Sequence, residues 1–241
     1  MASPSQSDGL PTGQMRPAST WGQFNQMTYL VQSLLNRVET ATLVKVVSCT
    51  NSGGLSPVGC VDVVPLVQQV DGAGVAIPNV TAFNLPYLRI QGGANAVIID
   101  PEPGDIGIAV FASRDISKAK ATKAESPPGS WRTHSLSDGM YVGGVLNGSP
   151  TQYVQFNSSG IKIHSPTAVK LDAPSVQVTA QTVSINASTS VTVTTPTMTV
   201  NGNLAVSGSG AFGSDVVAQG VSVHNHVHMV NTTHTPTDPP T

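Results

Sequence analysis

Residues 175–194 read SVQVTAQTVSINASTSVTVT, and this stretch decides the fold. Its large apolar side chains come in pairs one residue apart: Val176/Val178, Val183/Ile185 and Val191/Val193. In an extended strand alternate residues share a face, so each pair marks one short strand with an apolar side. Ser, Thr, Asn, Gln and Ala fill the intervals. Working outward, the unit recurs at Ile161/Ile163 and Val169/Leu171, then at Met198/Val200, Leu204/Val206 and Val221/Val223. Over most of this length successive pairs stand about six to eight residues apart. A short fixed period signals a solenoid or a fibrous β array. One such strand cannot bury its face alone, and a single-chain β-helix would obtain only a few coils from this length. Three identical chains wound about one axis solve the problem better, each layer taking a strand from every chain. Wrapping also leaves few strand edges open to aggregation. The expectation for residues 151–220 is an intertwined trimeric, triple-stranded β-helix.

The surface of this stalk is nearly free of charge. No Lys or Arg follows Lys170, and after Asp172 only Asp215 and Asp238 are charged. Hydroxyls enter an apolar phase at far lower cost than ions. The pattern suits a shaft that passes through a lipid layer, and it also suits a fibre or adhesin that needs no charge.

Beyond the stalk, residues 221–230 read VSVHNHVHMV. Four of the chain's six histidines lie between 224 and 234. His224, His226 and His228 alternate, so on a straight strand their imidazoles would share a face. One chain offers too few ligands to close a site; two histidines from each of three chains give six nitrogens. Imidazole suits iron, nickel, copper or zinc, although zinc prefers four ligands. Val221 and Val223 share strand parity with Asn225 and Val227, so a histidine pair must turn inward through a bulge or twist. The final stretch, NTTHTPTDPPT, carries Pro236, Pro239 and Pro240, which preclude regular strand pairing. Residues 221–241 are read as a metal-binding apex.

The N-terminal half has a different texture. Residues 1–18 are expected to be a disordered tail, without the basic start and apolar run of a signal peptide. A helix is expected over 19–40. Thr20 is its N-cap, Gln23 follows at capping-box spacing, and Phe24, Met27, Leu30, Val31, Leu34, Leu35 and Val38 mark one face. That face either packs on the following domain or docks a partner. Residues 41–112 read as short strands at 41–50, 59–70, 75–83, 87–91, 95–99 and 106–112, separated by turn-rich segments. Such a series fits a small barrel, with an OB-fold the natural candidate. Single-strand nucleic-acid binding would want aromatic and basic residues on the barrel face. Here the strands carry Val, Ile and Leu, with Lys45 and Arg89 nearly the only cations, so the barrel reads as a protein-docking platform. Cys49 and Cys60 fall nearly opposite one another on a hairpin at 43–66, within reach of a bridge, while a reducing compartment favours two thiols.

Residues 113–150 are expected to be a loop and connector. The loop carries Arg114, Lys118, Lys120 and Lys123; the connector carries Trp131, His134 and Asp138. No nucleophile with a matching motif accompanies His134 and Asp138, so they read as a hydrogen-bonded corner. Charged residues are 10%, aromatics 5% and the net charge is −2, which points away from an electrostatic nucleic-acid binder. A glycosidase needs paired carboxylates, and past Asp138 the chain has only Asp172, Asp215 and Asp238. The chain is read as no enzyme, with no small-molecule substrate and no nucleic-acid partner.

Taken together, the order of elements resembles the central spike proteins of contractile phage tails, the baseplate-assembly-protein-V type. The resemblance covers most of the chain. It rests on residues 100–117, DPEPGDIGIAVFASRDIS, on 132–138, RTHSLSD, and on 215–223, DVVAQGVSV, followed by His-x-His and a Thr/Pro-rich end. The last combination is its most specific part. It implies a homotrimer with an OB-fold collar, a triple-stranded β-helix and a pointed apex, seated on baseplate hub proteins and driven through the host outer membrane. Its place would be the tip of the virion's tail baseplate, after synthesis in the host cytoplasm. It also implies one iron ion per trimer, held by two histidines from each of the three chains. Aligned on residues 220–223, the pair falls on His226 and His228, with His224 and His226 the other pairing. The chain departs from the family in its third alternating histidine and in lacking the glycines that commonly follow the pair. A trimeric receptor-binding tail fibre or adhesin is the alternative; that class would carry a broad aromatic head, whereas Phe212 is the only aromatic past Phe156.

Overall fold

A computed structural model of the chain describes residues 21–70 and 75–228. The expected tail at 1–18, the Thr20 cap and the Pro-rich end with His234 lie outside them. The chain divides into two units, residues 1–171 and 172–241.

The first unit opens with α1 (Gly22–Leu35), preceded by Trp21, whose side chain makes no capping bond. Asn36 closes the helix by donating its N–H to the carbonyl of Gln32 at 2.9 Å. None of its residues is buried; Phe24 is 82% and Met27 67% exposed. Of the two expectations for this face, packing on the following domain is overturned.

The next strands are β1 (Ala41–Cys49), β2 (Cys60–Pro65), β3 (Gln69–Val70), β4 (Ala76–Ile77), β5 (Ala82–Pro86), β6 (Ile90–Gly92), β7 (Asn95–Val97) and β8 (Ile106–Phe111). After them come the short helix α2 (Ser117–Thr122) and β9 (Gly139–Gly144). Five of the strands make one antiparallel sheet in the order β5-β2-β1-β8-β9. β1, the longest strand, lies at the centre of the sheet, pairing Val44 with Pro65 on one side and with Gly107 on the other. The sheet curls into a half-barrel, and its edges meet where Tyr87 bridges Tyr141 in parallel and Leu88 donates to the Tyr141 carbonyl at 2.8 Å. Alternation fills the inside: Val44 and Val46 from β1, Val61 and Val63 from β2, Leu85 from β5, Ala109 and Phe111 from β8 and Tyr141 from β9 are all buried. The described chain is mainly β, with 28% strand.

Several boundaries differ from expectation. The run 59–70 breaks into β2 and β3, and 75–83 into β4 and the start of β5. The connector at 113–150 is more than a loop: it supplies β9, which completes the sheet. Its sequence, GMYVGG, carries only Tyr141 as a buried large side chain, so alternation did not announce it. Gly139 is required there by close approach, since a Cβ would come within 2.7 Å of Leu85 Cδ2 and 2.8 Å of Phe111. Cys49 faces Val61 and Cys60 faces Pro86, and both are free thiols.

The corner expected around His134 and Asp138 is hydrogen-bonded. Asp138 is fully buried and accepts Arg132 Nε at 2.7 Å and Nη2 at 2.9 Å; His134 Nδ1 instead meets the Glu39 carbonyl at 3.1 Å. Asp115, beside them, is held well below the usual carboxylate range by hydrogen bonds from Ser117 and Ser130. β10 (Tyr153–Asn157) and β11 (Gly160–His164) then form an exposed hairpin, pairing Val154 with Ile163 and Phe156 with Ile161.

From Pro166 to Asp215 every one of fifty consecutive residues is exposed. Between Ala168 and Asp215 no backbone-to-backbone hydrogen bond forms among the described residues. The chain runs extended between bends at 166–167, 174, 181, 188–189, 196, 201–202, 207–208 and 213–214. These bends fall between the apolar pairs, one per interval as far as Leu204/Val206 and two, at 207–208 and 213–214, before Val221/Val223. No helix of the described residues is long and apolar enough to cross a membrane.

Candidate metal centre

The histidine segment is positioned by a small hairpin, β12 (Val217–Ala218) and β13 (Val221–Ser222), within the second unit. Gln219 and Gly220 form its turn with φ of 51° and 82°, the positive values that tight two-residue hairpin turns require. Val223 extends the pairing by donating to the Val216 carbonyl at 2.8 Å. Asp215 ties the base of the hairpin to the first histidine, accepting the His224 N–H at 3.1 Å. Its carboxyl is held below the ordinary range chiefly by the Ser222 hydroxyl, then by the backbone of His224 and Val216.

The chain then turns at 223–225, with Asn225 N–H donating to Ser222 Oγ at 2.7 Å. This turn corrects the expectation of three histidines on one straight strand. The strand ends at Ser222, and His224 sits inside the turn. His224 lines a hollow with Phe212, Asp215, Val216 and Val223. His226 and His228 come together instead: their ring centroids are 5.0 Å apart and the planes stand at 88°. The break in parity demanded by Val221 and Val223 is supplied by the turn rather than by a bulge.

Two imidazoles side by side, as at His226 and His228, are a kind of donor that transition metals accept. With metal–nitrogen bonds of about 2.1 Å, two neighbouring imidazoles in a six-coordinate shell have ring centres about 4.6 Å apart. His226 Nδ1 lies 3.0 Å from the Val223 carbonyl. In the tautomer with the proton on Nδ1, this contact fixes the ring and leaves Nε2 as the unprotonated nitrogen. His224 and His226, the other pairing, have no comparable ring approach among the described contacts. No group of three or more His, Cys, Asp or Glu side chains converges among the described residues.

The remaining described histidines are otherwise engaged, His164 against the Tyr153 ring at 5.1 Å and His134 at the corner. Sequence reading found the histidines but not their support. Asp215, Ser222 and the Val223 carbonyl hold the segment, and the signal for them was local: a carboxylate and a Gln-Gly turn just ahead of the histidines. Comparison with protein-family models and with curated proteins found no match.

Proposed function

We propose that three copies of this chain form the spike at the tip of a contractile phage baseplate, which pierces the host outer membrane as the tail contracts. The observation that carries this reading is the run of fifty exposed residues with repeating apolar pairs and no backbone pairing of its own. Backbone donors and acceptors demand partners. Apolar burial contributes roughly 25 cal/mol for each Å² removed from water, and here no side chain of the run is buried within the chain. Winding three chains into a triple-stranded β-helix at 151–220 satisfies both demands, because the pairs meet on the axis and the Ser/Thr positions face outward. The exterior, nearly free of charge beyond Asp172, suits passage through lipid.

The curled sheet would serve as an OB-fold collar seated on the baseplate hub. Its strand order, closed by the parallel Tyr87/Tyr141 bridge, suits that fold. Arg89, in the link between β5 and β6, is buried on Asp100, which favours docking a protein over a nucleic acid. At the apex, His226 and His228 of each chain would hold one iron ion. Such an ion, when bound, ties three chain ends together and has no open position for substrate, so the work of the protein is mechanical rather than catalytic. A ligand that binds only the assembled trimer also stabilises it by mass action.

The test is elemental analysis of the purified, untagged oligomer, with its mass measured in the same preparation. One iron for every three chains is expected. His226→Ala/His228→Ala should lose it, while His224→Ala should keep it. A well-folded trimer without metal would leave the receptor-binding fibre or adhesin as the better reading, and saturable binding to intact host cells would then establish it.

A further inference from the structure

The apolar face of α1 is unpartnered, and its spacing says what covers it. Phe24, Met27, Val31 and Leu34 are separated by three, four and three residues, and Val38 follows four later. This is the alternating three-four spacing of a coiled-coil seam, with Phe24 and Val31 at a positions and Met27 and Leu34 at d positions. The half-buried residues of the helix, Asn25, Tyr29 and Ser33, lie on the other side, so the seam is the side left open. Residues 21–35 carry no charge, so nothing in the helix opposes close approach of identical copies. A fourteen-residue helix is marginal in water without packing.

We infer that α1 associates with α1 of the other copies, forming a parallel three-helix bundle at the opposite end of the chain from the histidines. This rests on the trimer of the proposed function and adds a second contact to it. Val31 and Leu34 alone would suit two strands. Leu30 and Leu35 flank the seam, each about 60% exposed, and widen it beyond what one neighbour covers. A third helix takes that surface. Tethering to a trimeric stalk raises the effective concentration of the helices, so two heptads suffice where free peptides would not.

The experiment uses the full chain with Cys49→Ser and Cys60→Ser, carrying either Met27→Cys on the seam or Gln32→Cys off it. Each is treated with a trifunctional maleimide, and the mass of the untreated sample is measured alongside. A trimeric mass with a three-chain covalent band from Met27→Cys, at least tenfold stronger than from Gln32→Cys, supports the bundle. A trimeric mass with equal or absent cross-linking overturns the bundle and leaves the trimer standing. A monomeric mass overturns both. Hydrogen exchange on the unaltered chain gives the same reading without substitutions. Amides of residues 26–35 slowed at least about a hundredfold in the trimer support the seam, and slowing of less than about tenfold overturns it.

Discussion

Arg89 shows how much a single residue can mislead. The sequence reading places it on a barrel strand as one of two cations there, yet it lies between β5 and β6 and its side chain is only 3% exposed. Its guanidinium meets Asp100 Oδ1 at 2.6 Å, Tyr87 Oη at 3.2 Å and the Ser56 carbonyl at 2.7 Å. Asp100 also accepts the Tyr87 hydroxyl at 2.6 Å and the Gly53 N–H at 2.8 Å, so one carboxylate fastens two loops to the sheet edge. Burial pushes the Asp100 carboxyl up, but the hydrogen bonds from Tyr87, Arg89 and Gly53 outweigh it and hold the group below its ordinary value. A depressed folded value means that the stabilisation is present above the unfolded value, about pH 3.9, and is lost as the pH falls through the folded one. The melting temperature of the first unit should therefore be nearly level from pH 7 to about 5 and fall below about 4. Asp100→Asn should lower it by about 10 °C at pH 7, because Arg89 is left buried against a neutral partner, and should flatten the acid slope. Thermal melts across that range check both. An unchanged acid slope in the variant would remove Asp100 from the account.

At the scale of the element, legibility followed periodicity. β1 and β8 were readable because Val44, Val46, Ala109 and Phe111 alternate with exposed neighbours on long strands. β9 was not, because three of its six residues are glycine and its role depends on Leu85 and Phe111 packing against it from distant parts of the chain. The stalk pairs were legible as a period, and the bends at 174, 181 and 188–189 give that period its physical form, one turn about every seven residues. The apex was half legible. Alternating histidines are visible in sequence, but the turn that separates His224 from the other two depends on Asp215 and Ser222 reaching across the hairpin. If the seven-residue unit is the structural quantum, deleting residues 182–188 removes one pair with its bend and should leave a shorter trimer of similar melting temperature. Deleting only 186–189 removes no large apolar residue, but joins Val183/Ile185 to Val191/Val193 with no room for a bend. That smaller deletion should do more harm, lowering the melting temperature by about 10 °C or more or breaking the trimer. Light scattering and thermal melts on the two variants decide it, and equal tolerance of both would show that the bends do not set the register.

For the whole molecule, the two units present opposite problems. The first buries a compact cluster and satisfies its sheet internally, with edges closed at Tyr87 and Tyr141. The second leaves Val176, Val183, Ile185, Val191, Leu204 and their neighbours open to water, which a soluble monomer does not sustain over so long a stretch. The first unit can thus hold its fold as one chain, while the stalk, on the proposed reading, would be a shared structure whose stability is inseparable from assembly. Amide exchange separates these cases within one sample. In the assembled protein the amides of residues 168–215 should be protected at least as strongly as those of β1, since each would donate to a neighbouring chain. Dilution or mild denaturant that dissociates the oligomer should abolish protection in 168–215 at once and cooperatively, while β1, β2 and β8 keep theirs. Protection that is absent from 168–215 in an oligomer of three chains would mean that the copies are joined elsewhere and the stalk is an unpaired strand. Protection that survives in a monomer would mean that the chain folds back on itself, and the trimeric spike would then lose its main support.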